Sequence, residues 1–170
     1  SYPSGWGDWC NESQAKPLPG VMEFLLKAEQ MGVKIFYVTN RKYEYEKGTL
    51  ENFKKFGIPI EGDEDSLLMR YENGWDSNKT SRRELIAKNH RVIFQIGDNL
   101  GDFVDLSLNH QSPEKRVEVV NEFNDMWGKY WFMIENPTYG DWEGALYKFN
   151  FDRSNQEIIQ IRNKKLDEAR

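Results

Sequence analysis

The stretch that decides the fold is Val92–Asp105, VIFQIGDNLGDFVD. Its first half is apolar and rich in β-branched and aromatic residues, and it stops at Gly97-Asp98. That pattern is typical of a buried strand that ends in a turn. Open α/β sheets bind ligands at the carboxyl ends of their strands, which is where Asp98 is predicted to lie. Asp102 follows four residues later and would share a face with Asp98 if the turn enters a short helix.

Two carboxylates at one strand end predict a site for a hard cation, because Mg²⁺ prefers oxygen ligands. Aspartates are also common in solvated turns, so Asp98 and Asp102 as simple turn residues remain the alternative at this point.

Length and composition indicate a globular protein. The chain has 170 residues, of which 38% are hydrophobic and 30% charged, and this excludes a disordered chain. One domain over residues 1–170 is therefore predicted. The net charge of −5 and the lack of a long Lys/Arg tract argue against a nucleic-acid polymer as partner. Cys10 is the only cysteine, so no internal disulfide can form.

Helical and strand patterns alternate along the rest of the chain. Helices are predicted over 21–31, 43–56, 81–89, 113–127 and after Ser154, and strands over 33–38, 65–70, 92–96 and 130–135. Residues 1–16 show no clear period, and 136–144 has the composition of a loop. Leu50, Phe53 and Phe56 are the candidate core contacts of the helix at 43–56. On or near one face of the helix at 113–127 we expect Val117, Val120, Phe123, Asn124 and Trp127. The alternation favours an α/β fold with a mainly parallel sheet.

Polar side chains follow three segments in an order that suggests phosphate chemistry. Thr39 offers a hydroxyl, and a turn at Thr39–Arg41 would offer backbone N–H donors. Lys79 offers a positive charge, and Asp98 and Asp102 offer metal ligands. A transferring phosphoryl group needs donors and a cation on its oxygens and a metal that neutralises developing charge. Each residue alone is a weak signal, because Thr39 can simply end a strand and Lys79 can be a solvated loop lysine.

These segments resemble motifs of a known superfamily. FYVTNR (36–41), the segment around Lys79 and IGDNLGDF (96–103) are similar to the second, third and fourth motifs of the haloacid dehalogenase-like superfamily. GWGDWC (5–10), AKPLPG (15–20) and ENPTYGDWEGAL (135–146) further resemble its class C acid phosphatases, the bacterial surface-lipoprotein type. The resemblance runs from about Trp6 to Leu146 and rests on the combined pattern.

The resemblance implies a Mg²⁺-dependent phosphomonoesterase on a Rossmann-like, three-layer α/β fold. It also implies roles for residues at matching positions. Thr39 would hydrogen-bond the transferring phosphoryl oxygens, and Lys79 would neutralise the charge of the phosphate and of the nucleophile. Asp98 would coordinate Mg²⁺ directly, and Asp102 would act through water or as an outer partner.

Five more residues are implied around the substrate. These are Asn40 and Arg41 at the rim of the phosphate, and Trp6, Tyr139 and Trp142 near the leaving group. Stacking is the natural role for Tyr139, since members of this family are similar to nucleotidases and bind a base or nicotinamide ring. The alternative for each aromatic residue is core packing, which is the preferred interpretation for Trp9.

The superfamily's Asp-x-Asp motif, which supplies the nucleophile and the general acid on the first strand, is missing from this sequence. No apolar strand ending in Asp-x-Asp precedes Gly20, and the acidic run Asp63–Asp65 follows no apolar run. In the family's fold that strand is central, between the strands that end at Thr39 and Asp98, and its loss would leave backbone groups unpaired. We therefore expect the nucleophile strand to lie in an N-terminal segment outside residues 1–170, and the 170-residue chain alone to be inactive.

Two other classes of function remain open. A receiver-like signalling domain also combines acidic residues, Thr and Lys, but its acidic pair comes early in the chain, whereas Asp98 and Asp102 come after Lys79. A non-catalytic binding protein that retained the fold is favoured by the missing nucleophile. For the phosphatase, the expected partner is a small phosphomonoester, with a homodimer left open. The family implies a cell-envelope or secreted location, with any membrane contact through an N-terminal lipid anchor outside this chain.

Overall fold

The computed structural model describes residues 5–60, 62, 64–105, 107 and 112–165. Asp63, part of the acidic run considered above, lies outside these residues. The chain divides into two compact units, Ser1–Ile86 and Ala87–Arg170, which are described separately. The expectation of one domain over residues 1–170 stays a prediction. No helix in the described ranges combines the length and the apolar character that crossing a membrane would require.

The first unit contains two parallel strands, and in the sequence two helices precede them, one lies between them and one follows them. Its helices are α1 (Trp6–Glu12), α2 (Val21–Gln30), α3 (Glu46–Phe56) and α4 (Thr80–Asn89), whose last three residues belong to the second unit, and its strands are β1 (Tyr37–Lys42) and β2 (Leu67–Arg70). The strands pair in parallel, with Tyr37 opposite Leu67. Helix α1 was missed because Cys10 is its one buried residue, which gives no apolar period.

The predicted bounds of the first strand were wrong. The strand begins at Tyr37 instead of Val33, because its partner β2 begins at Leu67, opposite Tyr37. Thr39–Arg41 therefore lies inside β1 and is not a turn after it. The strand register shifts between Val38 and Lys42, and there the Arg41 N–H donates to Thr39 Oγ1 at 3.1 Å.

Helix α3 ends at Phe56 as predicted, but it begins at Glu46 after a 3₁₀ turn at Tyr43–Tyr45, and its buried face is polar. Leu50, an expected core contact, is exposed, and Phe53 and Phe56 are half-buried. The buried residues are instead Gly48, Thr49 and Asn52. Two of them contact the segment after α1: Asn52 exchanges two hydrogen bonds with the Ala15 backbone (2.8 and 2.9 Å), and Ser13 Oγ donates to the Gly48 carbonyl at 2.8 Å.

Gly48→Ala is expected to destabilise the protein by about 1–3 kcal/mol, the usual cost of overpacking. A Cβ at this position would lie 2.6 Å from the Cys10 carbonyl oxygen and 2.9 Å from Asn11 Cα. These are backbone atoms, so α1 and α3 must separate to admit the methyl group. Urea unfolding measures the change, and Lys47→Ala, an exposed site one residue earlier, should shift stability by less than about 0.5 kcal/mol. A Gly48→Ala protein as stable as wild type would contradict this packing.

The second unit also contains a parallel strand pair. Its elements are β3 (Gln95–Gly97), α5 (Pro113–Glu122), β4 (Trp131–Met133), α6 (Asp141–Leu146) and α7 (Asn155–Lys165), with a 3₁₀ turn at Leu100–Asp102. Gln95 lies opposite Trp131 and Gly97 opposite Met133. The buried core is Leu100, Phe103, Val104, Val119 and Trp131. The predicted cap of the last helix is confirmed: Ser154 Oγ accepts from Glu157 N, and the Glu157 carboxylate accepts from Ser154 N.

Three expectations for this unit were wrong. The strand that leads to Asp98 spans Gln95–Gly97 only, because β4, the one strand that pairs with it in the described part of the chain, covers only Trp131–Met133, and Ile96 is 44% exposed instead of buried. The helix predicted over 113–127 ends at Glu122, and Val119 is buried, whereas Val117 is 60% exposed. The predicted loop over 136–144 includes the first turn of α6.

Candidate active site

Thr39 is held on both sides by hydrogen bonds within the first unit. Its carbonyl oxygen accepts from Arg82 Nη1 at 2.7 Å, and its Oγ1 accepts from the Arg41 backbone N–H at 3.1 Å. A hydroxyl that accepts a hydrogen bond retains its own proton to donate. Thr39 is thus able to donate to an anionic oxygen from a fixed position.

Lys79 immediately precedes α4 and is half-buried, so it is not the fully solvated loop lysine of the alternative interpretation. Two Asx-type contacts shape the chain before it. Asp76 Oδ1 accepts from Asn78 N at 2.7 Å, and Asn78 Oδ1 accepts from Thr80 N at 3.0 Å. The N-terminal end of a helix favours negative charge, so this cation and the helix end suit an anionic group together.

Asn40 and Arg41 are engaged by protein groups. Asn40 Nδ2 donates to the Ser77 carbonyl at 3.0 Å, which ties β1 to the segment before Lys79. Arg41 Nη1 donates to Thr49 Oγ1 at 3.2 Å. Their predicted place at the phosphate rim stays a prediction, and the structure adds a scaffold role for both.

Trp6 and Trp9 form a stacked pair on α1, with ring centroids 5.0 Å apart. The Arg41 guanidinium lies 5.8 Å from the centroid of the Trp6 ring and 5.2 Å from that of Trp9, within the range of cation–π attraction. Trp9 is 38% exposed, so core packing was the wrong interpretation for it. The stacking of Trp6 on Trp9 was not predicted, because residues 1–16 show no helical period in the sequence.

Asp98 and Asp102 lie in the same turn of the second unit, while their predicted roles as metal ligands stay predictions. Asp98 directly follows β3 and is exposed, and its Oδ2 accepts from Asn136 Nδ2 at 2.7 Å. Asp102 Oδ2 accepts from the backbone N–H groups of Asp98 and Asn99, both at 3.0 Å. Asp102 therefore shapes the turn that presents Asp98, which agrees with its implied role as an outer partner.

Gly97 makes this turn possible. A Cβ at Gly97 would lie 2.5 Å from both Cβ and Oδ2 of Asp102. The Asp102 side chain thus occupies the space that any larger residue at the strand end would need. This contact explains in steric terms why Gly precedes Asp98.

The donor set fits Mg²⁺. Asp98 and Asp102 offer only carboxylate oxygens, and the described ranges hold no group of three or more His, Cys, Asp or Glu side chains that could form an all-protein cage. Mg²⁺ is usually held by one or two carboxylates together with waters and substrate phosphates. Soft metals would need the thiolate or imidazole ligands that this turn lacks.

Asn136 organises the loop that carries the predicted aromatic residues, and sequence analysis missed it. Its Oδ1 accepts from the N–H groups of Thr138 (3.1 Å) and Tyr139 (3.3 Å), and its carbonyl oxygen accepts from Trp142 Nε1 at 3.1 Å. Tyr139 is 50% exposed and Trp142 38% exposed, so neither is a core residue. The sequence signal that could have indicated this role is the Asn136-Pro137 pair, because Asn-Pro is typical of turns.

Comparison with known proteins gives the class of this chain. Residues 1–142 match the family described as HAD superfamily, subfamily IIIB (Acid phosphatase). The chain therefore belongs to this family. The structure of the class C acid phosphatase from Bacillus anthracis is similar, with 35% sequence identity and a TM-score of 0.87, and the match covers 100% of this chain and 70% of that chain. The crystal structure of the same enzyme with tungstate bound gives 35% identity, the same coverage and a TM-score of 0.88.

These comparisons confirm the predicted family and the HAD-like α/β fold with parallel strands. They support phosphatase activity, and HAD phosphatases generally use a divalent metal. Thr39, Lys79, Asn40, Arg41 and Trp6 lie in the first unit, and Asp98, Asp102, Tyr139 and Trp142 lie in the second. The individual roles of these residues stay predictions.

Proposed function

We propose that this protein is a Mg²⁺-dependent acid phosphatase that hydrolyses phosphomonoesters, with nucleoside monophosphates as the substrate class. The observation that carries the proposal is the Asp98–Asp102 turn, an oxygen-only donor set on the fold of class C acid phosphatases. The similar Bacillus anthracis enzyme was crystallised with tungstate, a tetrahedral oxyanion of the same kind as phosphate. That likeness supports an oxyanion as the ligand here.

The proposed reaction has two steps. An aspartate nucleophile, which the family resemblance assigns to an Asp-x-Asp strand outside residues 1–170, attacks phosphorus. The bond to the leaving oxygen breaks, an acyl phosphate forms, and the leaving group takes a proton from the general acid. Water then attacks the phosphorus and gives a proton to the same general acid–base group, which restores that group, while the bond from phosphorus to the aspartate oxygen breaks and frees the aspartate and inorganic phosphate.

The described residues bind and stabilise the phosphoryl group in this proposal. The Thr39 hydroxyl donates to a phosphoryl oxygen, and the Lys79 ammonium neutralises charge on another. Asp98 would hold the metal, and Asp102 keeps the Asp98 turn in shape. Bound Mg²⁺ would supply positive charge for the oxygens of the transferring group.

The family supports a proposal for the location of this protein, and the proposed reaction supports one for its partner. Class C acid phosphatases are typically secreted or lipoprotein enzymes, and we propose a cell-envelope or secreted location for this one. A lipid anchor would be the membrane contact, and the partner is the small phosphomonoester.

Phosphate release by the full-length protein from p-nitrophenyl phosphate and from a nucleoside monophosphate tests the function. Chelation should abolish release and added Mg²⁺ should restore it. The sequence of residues 1–170 lacks Asp-x-Asp before Gly20, which favours a non-catalytic binding protein as the second candidate. Calorimetry with inorganic phosphate separates the two, because binding without turnover would reject the phosphatase.

Tyr139→Ala is expected to lower kcat/KM for a nucleoside monophosphate about five- to 150-fold, the equivalent of about 1–3 kcal/mol of base stacking. Tyr139 lies in a loop and is half exposed, as a stacking residue must be. A phosphomonoester with a small aliphatic leaving group should be hardly affected, since it cannot stack. Tyr130→Ala, which removes a similarly exposed tyrosine, is the control. Equal losses on both substrates would show that Tyr139 supports the loop instead.

A further inference from the structure

The Arg82 side chain is fully buried, at 0% exposure, and the proposed reaction does not use it. It lies in the first turn of α4, three residues after Lys79. A buried charge is costly unless hydrogen bonds satisfy it. Burial in fact lowers the pKa of Arg82 from its ordinary value, although a guanidinium stays protonated at neutral pH. The contacts of this group must therefore explain its position.

The contacts reach three separate segments of the first unit. The guanidinium donates to the carbonyl oxygens of Thr39 (2.7 Å), Asp76 (3.1 Å), Leu68 (3.4 Å) and Asn78 (3.4 Å), and to Oδ1 of Asn40 (2.8 Å). Nη1 thus holds β1 and β2, and Nη2 holds β1 and the segment that leads to Lys79. A single planar group joins the backbone of Thr39 to the backbone just before Lys79.

The acceptors are neutral, and four of them are main-chain oxygens. The negative charge of Asp76 also favours the protonated guanidinium, but none of the five hydrogen-bond acceptors is a carboxylate. Because four of the acceptors are backbone carbonyl oxygens, Arg82 fixes the path of the backbone in these segments. The planar guanidinium suits this task, because its donors point in fixed directions and a lysine ammonium cannot reproduce them.

We propose that Arg82 is a positioning residue, which holds Thr39 and Lys79 in the mutual geometry that a phosphoryl group requires. This inference rests on the proposed phosphatase function. Arg82 holds the Thr39 carbonyl oxygen and the Arg41 N–H holds Thr39 Oγ1, so the position of the hydroxyl oxygen is fixed. Phosphoryl transfer depends mostly on positioning and electrostatics, so a small shift of either group is costly.

Arg82→Lys in the full-length protein is the test, with Arg83→Lys as the matched control. Arg83 makes a local contact, from Nη2 to Thr80 Oγ1 at 3.0 Å. Arg82→Lys should lower kcat/KM for p-nitrophenyl phosphate by about 100-fold, the usual effect of misplacing a group by about 1 Å, with most of the loss in kcat. Arg83→Lys should stay within about twofold, as expected for a change outside the positioning contacts.

Amide hydrogen exchange provides a readout that does not depend on turnover. The N–H groups of Arg41, Asn78 and Thr80 are hydrogen-bonded in the two segments that Arg82 joins. They should exchange faster in Arg82→Lys and not in Arg83→Lys, while the second unit is unchanged. If wild type shows no phosphatase activity, the proposed function fails, and the exchange rates still decide whether Arg82 holds these segments.

Three results would overturn the inference. The first is wild-type kinetics and exchange in Arg82→Lys. The second is an equal loss in both lysine variants with equal loss of thermal stability, which would make Arg82 merely structural. If Arg82→Lys does not fold, Asn40→Ala is tested in its place, because it removes the one side-chain oxygen that accepts from Arg82. The third result that would overturn the inference is unchanged kinetics together with unchanged exchange of the Asn78 N–H in Asn40→Ala.

Discussion

Asp98→Asn is expected to lower kcat/KM of the full-length protein by at least about 100-fold at limiting Mg²⁺, the scale of losing one transition-state electrostatic contact. The substitution replaces an anionic oxygen ligand by a neutral amide of the same size. The Asn136 Nδ2 donor, 2.7 Å from Asp98 Oδ2, can still find an amide oxygen there, so the loop should keep its place. Initial rates measured against Mg²⁺ concentration should show a higher half-saturating concentration, while the thermal midpoint stays near that of wild type.

Two matched variants separate a metal ligand from a general charge effect. Asp125→Asn changes an exposed carboxylate of the same unit and should leave the Mg²⁺ dependence unaltered. Asp102→Asn retains one side-chain oxygen for the backbone N–H groups of Asp98 and Asn99, so its loss should be smaller than that of Asp98→Asn. Full activity of Asp98→Asn at limiting Mg²⁺ would reject Asp98 as the metal ligand.

Local signals in the sequence were sufficient for the Asp98 turn. The apolar run, Gly97 and the spacing from Asp98 to Asp102 all lie within a few residues, and the turn depends on contacts within that stretch. The cap at Ser154 and the end of α3 at Gly57 are local in the same way. Such features can be predicted because the interacting groups are neighbours in the chain.

Contacts between distant residues account for what was missed. Arg82 meets Thr39 across 43 residues, and Asn136 meets Asp98 across 38, so no local pattern marks either residue. The start of β1 at Tyr37 depends on where β2 begins, which the sequence 33–38 does not encode by itself. Gly48 is similar: its small size matters because a separate helix packs against it.

Gly97→Ala is expected to damage the candidate metal site more than any other single-methyl change. The new Cβ would lie 2.5 Å from Asp102 Cβ, and that atom is bonded to the backbone, so a rotamer change cannot move it away. The 3₁₀ turn must shift instead, which breaks the bonds from Asp98 N and Asn99 N to the Asp102 carboxylate. We expect a loss of about 1–3 kcal/mol in the free energy of unfolding and a fall in kcat/KM of about 100-fold.

A double-mutant cycle shows whether the clash with Asp102 is the cause. Asp102→Gly removes the side chain that the methyl group would meet. It also removes the carboxylate that accepts from the N–H groups of Asp98 and Asn99. In that background Gly97→Ala should have little further effect on stability or on Mg²⁺ dependence, because the two changes act through one contact. Ile96→Ala, at the exposed neighbouring strand position, should leave the Mg²⁺ dependence unchanged. Strictly additive losses would mean that Gly97 serves the strand itself, independently of the turn that presents Asp98.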